Sequence, residues 1–128
     1  LGEPLRFDVK LTRPRPVHDF DLSIRIETSD NIYITTIHSS DYQMWYQIEA
    51  GQLLGIQAII NTLYLEPAQY FVTLVVRDRH HTMLDCLIRA GQFTVSAAPY
   101  GADAPPVAVV GIVTTHSKWT AYTQSIGE

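Results

Sequence analysis

Residues 20–27 read Phe20-Asp21-Leu22-Ser23-Ile24-Arg25-Ile26-Glu27, apolar and polar by turns without a break. Successive side chains of an extended chain point to opposite faces, so a period of two describes a strand with one buried and one polar face. The pattern recurs upstream, where Leu5, Phe7, Val9 and Leu11 alternate with Arg6, Asp8 and Lys10. Between the two lies Thr12-Arg13-Pro14-Arg15-Pro16, a stop, because each proline withholds a ladder donor. Downstream, Ser29-Asp30-Asn31 reads as a turn, and the β-branched run Ile32 to Ile37 as the hairpin partner.

Ser39 to Gln47 has no clean period and reads as a loop or a short irregular strand. Leu53 to Leu65 fits both a helical stripe and an alternation; Gly55 and the β-branched Ile56, Ile59, Ile60 and Thr62 favour a strand. After the turn Glu66-Pro67-Ala68-Gln69 come a strand from Tyr70 to Arg77 and a hairpin loop from Asp78 to Thr82. Met83 to Ile88 and Gln92 to Ala97 read as two short strands around Ala90-Gly91. Pro99 to Pro106 is a connection, Val107 to Thr115 a final apolar strand, and the tail from Ser117 is polar. About eight or nine strands spaced by turn signals predict an all-β antiparallel sandwich or barrel rather than βαβ units. A length of 128 residues fits one domain spanning residues 1–128.

Hydrophobic residues make up 46% and charged residues 17%, which excludes a disordered chain. A net charge of −4 speaks against nucleic acid as a partner. No apolar run reaches the roughly 20 residues of a membrane-spanning helix. The chain opens Leu1-Gly2-Glu3-Pro4, without Met or a leader, and is expected to be a fragment of a longer protein. The lone Cys86 allows neither an internal disulfide nor a paired-thiolate zinc site, and reads as a small core residue; it fits a reducing compartment or an unbridged extracellular domain. None of the five histidines stands in an HExxH spacing, so neither metal nor cofactor is expected.

Three segments resemble a known family. Glu49-Ala50-Gly51 followed by Leu63-Tyr64-Leu65-Glu66-Pro67-Ala68-Gln69-Tyr70-Phe71-Val72-Thr73-Leu74 is similar to its "G … L-x-L-x-P-G-x-Y-x-L" segment. Leu84-Asp85 with Ala90-Gly91-Gln92-Phe93-Thr94-Val95 is similar to its "x-D … A-x-x-F-x-V", and Gly111-Ile112-Val113 with Trp119 to its closing "G-x-V … W". The family is the C-terminal domain of Wzt, the ATPase subunit of ABC transporters that export O-antigen polysaccharide. Two departures stand out: Ala68 replaces the usual turn glycine, and the strand that precedes Gly2-Glu3-Pro4-Leu5 in the family is missing.

The resemblance implies a jelly-roll-like sandwich that recognises the non-reducing terminus of a finished glycan and has no catalytic role. It further implies a fused ATPase domain that meets the transporter membrane subunit, a homodimer with exchange of the last strand, and a cytoplasmic location peripheral to the inner membrane of a Gram-negative bacterium. The rival reading is a structural dimerisation module without a glycan ligand; a small glycosidase has the least support.

Sugar recognition needs flat apolar faces and polar groups for hydroxyls. With Tyr70, Val72, Leu74 and Val76 facing the core, Phe71, Thr73, Val75 and Arg77 share the other face. Phe71 is the expected platform, Arg77 the hydroxyl donor and Thr73 a neighbour, and Gln57 (with Asn61) on the previous strand is expected to line the same groove. Trp45 or Tyr46, in an aromatic cluster with Tyr42, would close the site, the alternative for Trp45 being a plug at the sandwich end. Trp119 reads as edge packing or a dimer contact. Asp78 and Asp85 flank a hairpin and read as structural, and adjacent His80 and His81 point apart and do not suit a shared metal. On this reading Arg77→Ala leaves the melting temperature nearly unchanged.

Overall fold

The alternation at residues 20–27 lies within strand β2 (Val17–Thr28), around which half the molecule is built. The computed structural model describes residues 5–61, 65, 67–95 and 117–125. Before β2 runs β1 (Leu5–Thr12). After it come β3 (Tyr33–His38), a single 3-10 turn (Ser39–Tyr42), β4 (Tyr46–Ile48), β5 (Gln52–Ile60), β6 (Ala68–Asp78), β7 (Met83–Val95) and β8 (Lys118–Ser125). Every ladder is antiparallel. One sheet has the order β1-β5-β8; the other has β3-β2-β6-β7, with β4 also on β2. Strands β3 and β4 share one edge of β2 because the 3-10 turn parts them, Gln43 taking a left-handed φ of 60° after it.

Between the sheets, Phe20, Leu22, Ile24, Ile26, Tyr70 and Val72 meet Leu54, Ile56, Ala58, Ile60 and Trp119. Each fully buried aliphatic side chain contributes about 1.5–3 kcal/mol. Segment 53–65 is a strand through residue 60, because alternation puts Leu54, Ile56, Ala58 and Ile60 in the core. Leu5, Phe7, Val9 and Leu11 pack against that core only partly, since β1 is an edge strand.

Three expectations need correction. The two short strands around Ala90-Gly91 are one strand, β7, whose ladder to β6 carries register shifts; Arg89 absorbs the irregularity at φ 52°. Cys86 is half-buried and sits opposite Val75 on the outward face, not in the core. The polar tail from Ser117 contains β8, which escapes pattern reading because only Trp119 of its eight residues is buried. The expected strand Val107 to Thr115 lies outside the described residues. Trp119 itself is a core residue, 5% exposed.

Candidate functional site

The outward face of the five-stranded sheet is built by register. From β2 it takes Asp21, Ser23, Arg25 and Glu27, and from β6 their partners Arg77, Val75, Thr73 and Phe71. Strand β3 adds His38 opposite Ser23, Thr36 opposite Arg25 and Tyr33 opposite Glu27. Although they face away from the core, Asp21, Ser23, Thr73 and Val75 are buried.

At one end, Nη2 of Arg77 donates to Oδ2 of Asp21 at 3.1 Å and to Nδ1 of His38 at 3.1 Å. The Ser40 hydroxyl donates to the same Asp21 oxygen at 2.7 Å, and the Ser23 hydroxyl lies 2.6 Å from His38 Nδ1. A guanidinium can only donate, so Nδ1 of His38 holds a lone pair and its proton belongs on Nε2. Burial, reinforced by the positive charge of Arg77, holds the His38 pKa below the ordinary histidine value. Asp21 is 1% exposed, and its Oδ1, like Nε of Arg77, is buried with no partner among the described residues.

At the other end the Arg89 guanidinium lies 4.1 Å over the centre of the Phe71 ring. It is held there by donating to the Ser29 carbonyl at 3.1 Å and to Oδ1 of Asn31 at 2.8 Å. The Arg89 amide donates to the Thr73 hydroxyl at 3.1 Å, and that hydroxyl donates to Glu27 at 2.7 Å. Arg25 stacks on Tyr33 at 4.9 Å, and the Thr36 and Tyr33 hydroxyls are bonded to each other. The surface thus runs from a charged, hydrogen-bonded end to an end of guanidinium-backed rings.

Phe71, Thr73 and Arg77 share this face, as period two requires. Six residues of strand separate Phe71 from Arg77, about 20 Å, so one sugar ring does not reach both. Thr73 is 2% exposed and ties Glu27 to the Arg89 backbone, a supporting position. Gln57 is on the other sheet, donating to Asp8 at 3.2 Å, because alternation does not say which sheet a strand joins. Trp45 carries the Arg79 guanidinium 4.3 Å above its ring. Tyr46 is a core residue, 7% exposed and 6.1 Å from the Phe20 ring; burial pushes its phenol pKa up to about 12. Asp21, Ser23, His38 and Arg89 escape the sequence reading. The signal for the first two was the polar half of the alternation itself, which passes for a solvated face.

Asp78 accepts from the backbone amides of His80 at 2.8 Å and Thr82 at 2.9 Å; these bonds, that to Thr82 foremost, hold its pKa below the usual carboxylate value. Asp85 pairs with Arg13 at 2.9 Å. Asp78 and Asp85 are thus engaged separately, in structural roles. Among the described residues no group of three His, Cys, Asp or Glu side chains is arranged to hold a metal.

Fold and surface together define an antiparallel β-sandwich module whose polar sheet face is ordered by cross-strand hydrogen bonds. The chain belongs to the Wzt C-terminal domain family, whose profile matches residues 1–114, so it is of the non-ATPase, C-terminal part of a Wzt-type transporter subunit. Strand β8 lies beyond the matched span. No curated protein and no solved structure matches the chain. No helix among the described residues is long and apolar enough to cross a membrane.

Proposed function

We propose that this domain is a non-catalytic carbohydrate-recognition module that binds the terminus of an O-antigen polysaccharide and selects it for ABC-transporter export. The observation that carries the reading is Arg77, fixed by Asp21 and His38 on the outward sheet face of a Wzt C-terminal domain. A guanidinium has five donors; Nη2 serves the two internal bonds and Nε is buried, which leaves Nη1 to donate to sugar oxygens without reorganising. Glu27 supplies an acceptor and Nε2–H of His38 a donor nearby, and the Phe71–Arg89 stack offers a flat edge to the residues that follow the terminus. Sugar hydroxyls trade water for protein at a net gain of about 0.5–1.5 kcal/mol each. Micromolar to millimolar dissociation constants, about −8 to −4 kcal/mol, are therefore expected.

In this reading the domain works at the cytoplasmic face of the inner membrane, attached to its ATPase and through it to the transporter membrane subunit. It works as a homodimer, with strand exchange as the route. Exposed Met83, Leu87 and Ile88 on edge strand β7 support self-association. They also favour the second reading, a dimerisation module with no glycan ligand. A microarray of bacterial O-antigen polysaccharides tests the choice: retention of a restricted set supports recognition, and retention of none supports the second reading.

A further inference from the structure

The outward face of the three-stranded sheet presents a second, separate set of groups. Register sets them in three rows across β1, β5 and β8: Lys10–Gly55–Tyr122, Asp8–Gln57–Thr120 and Arg6–Ile59–Lys118. A Cβ on Gly55 would lie 2.2 Å from the Tyr122 ring, so the tyrosine rests across a strand position that only glycine leaves open. Tyr122 is nevertheless 52% exposed, with ring surface turned to solvent. Tyr122, Gly55, Lys10, Gln57 and Thr120 are among the residues lining a depression of about 370 Å³, within the range that small ligands occupy.

Charge identifies the ligand class. The whole chain has a net charge of −4, yet both of its lysines, Lys10 and Lys118, sit on this face with Arg6. The single carboxylate in these rows, Asp8, already accepts from Arg6 at 3.1 Å and from Gln57 at 3.2 Å. The ammonium groups of Lys10 and Lys118 have no ion pair or hydrogen bond among the described residues. An exposed ring, neutral hydrogen-bonding groups and unpaired cations together match a pyranose that bears a negative substituent.

We propose that this face is a second glycan site, selective for an acidic sugar residue carrying a carboxylate or phosphate, with the sugar ring on Tyr122 and the negative group at Lys10. The proposal takes its ligand class from the carbohydrate reading above but uses the opposite sheet and a residue, Tyr122, outside the span matched by the family.

The test is an amide NMR titration of the chain with trigalacturonate, with mannose 6-phosphate and with neutral mannotriose. Saturable shifts centred on Lys10, Gly55 and Tyr122 are expected with one or both acidic probes, which separates carboxylate from phosphate, and none with mannotriose. Tyr122→Ala and Lys10→Glu should each weaken the acidic probe about tenfold or more, while Tyr122→Phe, which keeps the ring, should bind. Gly55→Val, by displacing the ring, should behave as Tyr122→Ala. Tyr122 is half exposed, so its variants keep the native amide spectrum. No shift in these rows at about 10 mM of either acidic probe overturns the proposal. Equal response to mannotriose, or binding indifferent to Tyr122→Ala, overturns it as well. The reporters lie on β1, β5 and β8, so failure here is read separately from failure of the Arg77 surface on β2 and β6.

Discussion

Arg77 and Asp21 face each other across the β2–β6 ladder, and the guanidinium donates to a carboxylate that is almost wholly buried, at 3.1 Å. The pair lies on the outward face of the sheet, yet the arginine side chain is only 24% exposed. Removing either member strands the other charge away from water. Asp21→Ala and Arg77→Ala should therefore each destabilise the domain by about 2–4 kcal/mol, below the upper range for fully buried pairs because Arg77 keeps some solvent. Urea denaturation at neutral pH measures this. The sequence-based expectation that Arg77→Ala is thermally silent does not survive the position of Asp21, and a probe of binding must use Arg77→Lys, which keeps the charge.

Acidification acts through His38. Burial and Arg77 lower its pKa in the folded chain, while the unfolded value stays near 6.5. Between the two the unfolded state binds more protons, so this contribution is complete above about pH 6.5 and is lost as pH falls through the folded pKa. Thermal melts from pH 8 downward should show Tm dropping once the pH passes below about 6.5, and His38→Gln should flatten that slope.

Tyr46 buries a phenol whose hydroxyl has no partner among the described residues. Losing an unsatisfied hydroxyl without losing the ring is expected to help by about 1 kcal/mol, so Tyr46→Phe should raise the urea midpoint. Ultraviolet titration should find one phenol ionising at about 12, absent in the variant.

On edge strand β7, Leu87 is 53% and Ile88 75% exposed. If the homodimer uses this edge, Leu87→Glu with Ile88→Glu should turn a dimer into a monomer in sedimentation equilibrium while leaving Tm within a few degrees. A dimer mass unaffected by the double change moves the interface elsewhere.

The fold is legible where a strand buries one face, as Leu5 to Leu11 and Phe20 to Glu27 declare themselves by period two, and where β-branched and aromatic residues concentrate, as in Tyr70 to Arg77. Strand β8 did not, because Lys-Trp-Thr-Ala-Tyr-Thr-Gln-Ser buries only its tryptophan and is held by backbone pairing to β5. The continuity of β7 was hidden by Ala90-Gly91, whose break is absorbed as an irregular ladder with Arg89 in a left-handed conformation. Period two also put Phe71, Thr73 and Arg77 on one face. It is silent about who stands opposite, so it reveals neither Asp21 nor His38, brought in by β2 and β3, and does not tell that Gln57 belongs to the other sheet. Tyr46 looked like a loop aromatic because a three-residue strand is too short to show a period.

Recognition of a chain terminus, rather than of repeating internal units, is the central claim, and stoichiometry tests it most directly. A polysaccharide retained on the array is prepared at two chain lengths and titrated calorimetrically into the domain. End recognition requires the same number of binding sites per polysaccharide chain at both lengths, and an affinity per chain that does not change. A number of domains bound that grows with chain length, or an absence of heat at either length, would contradict it.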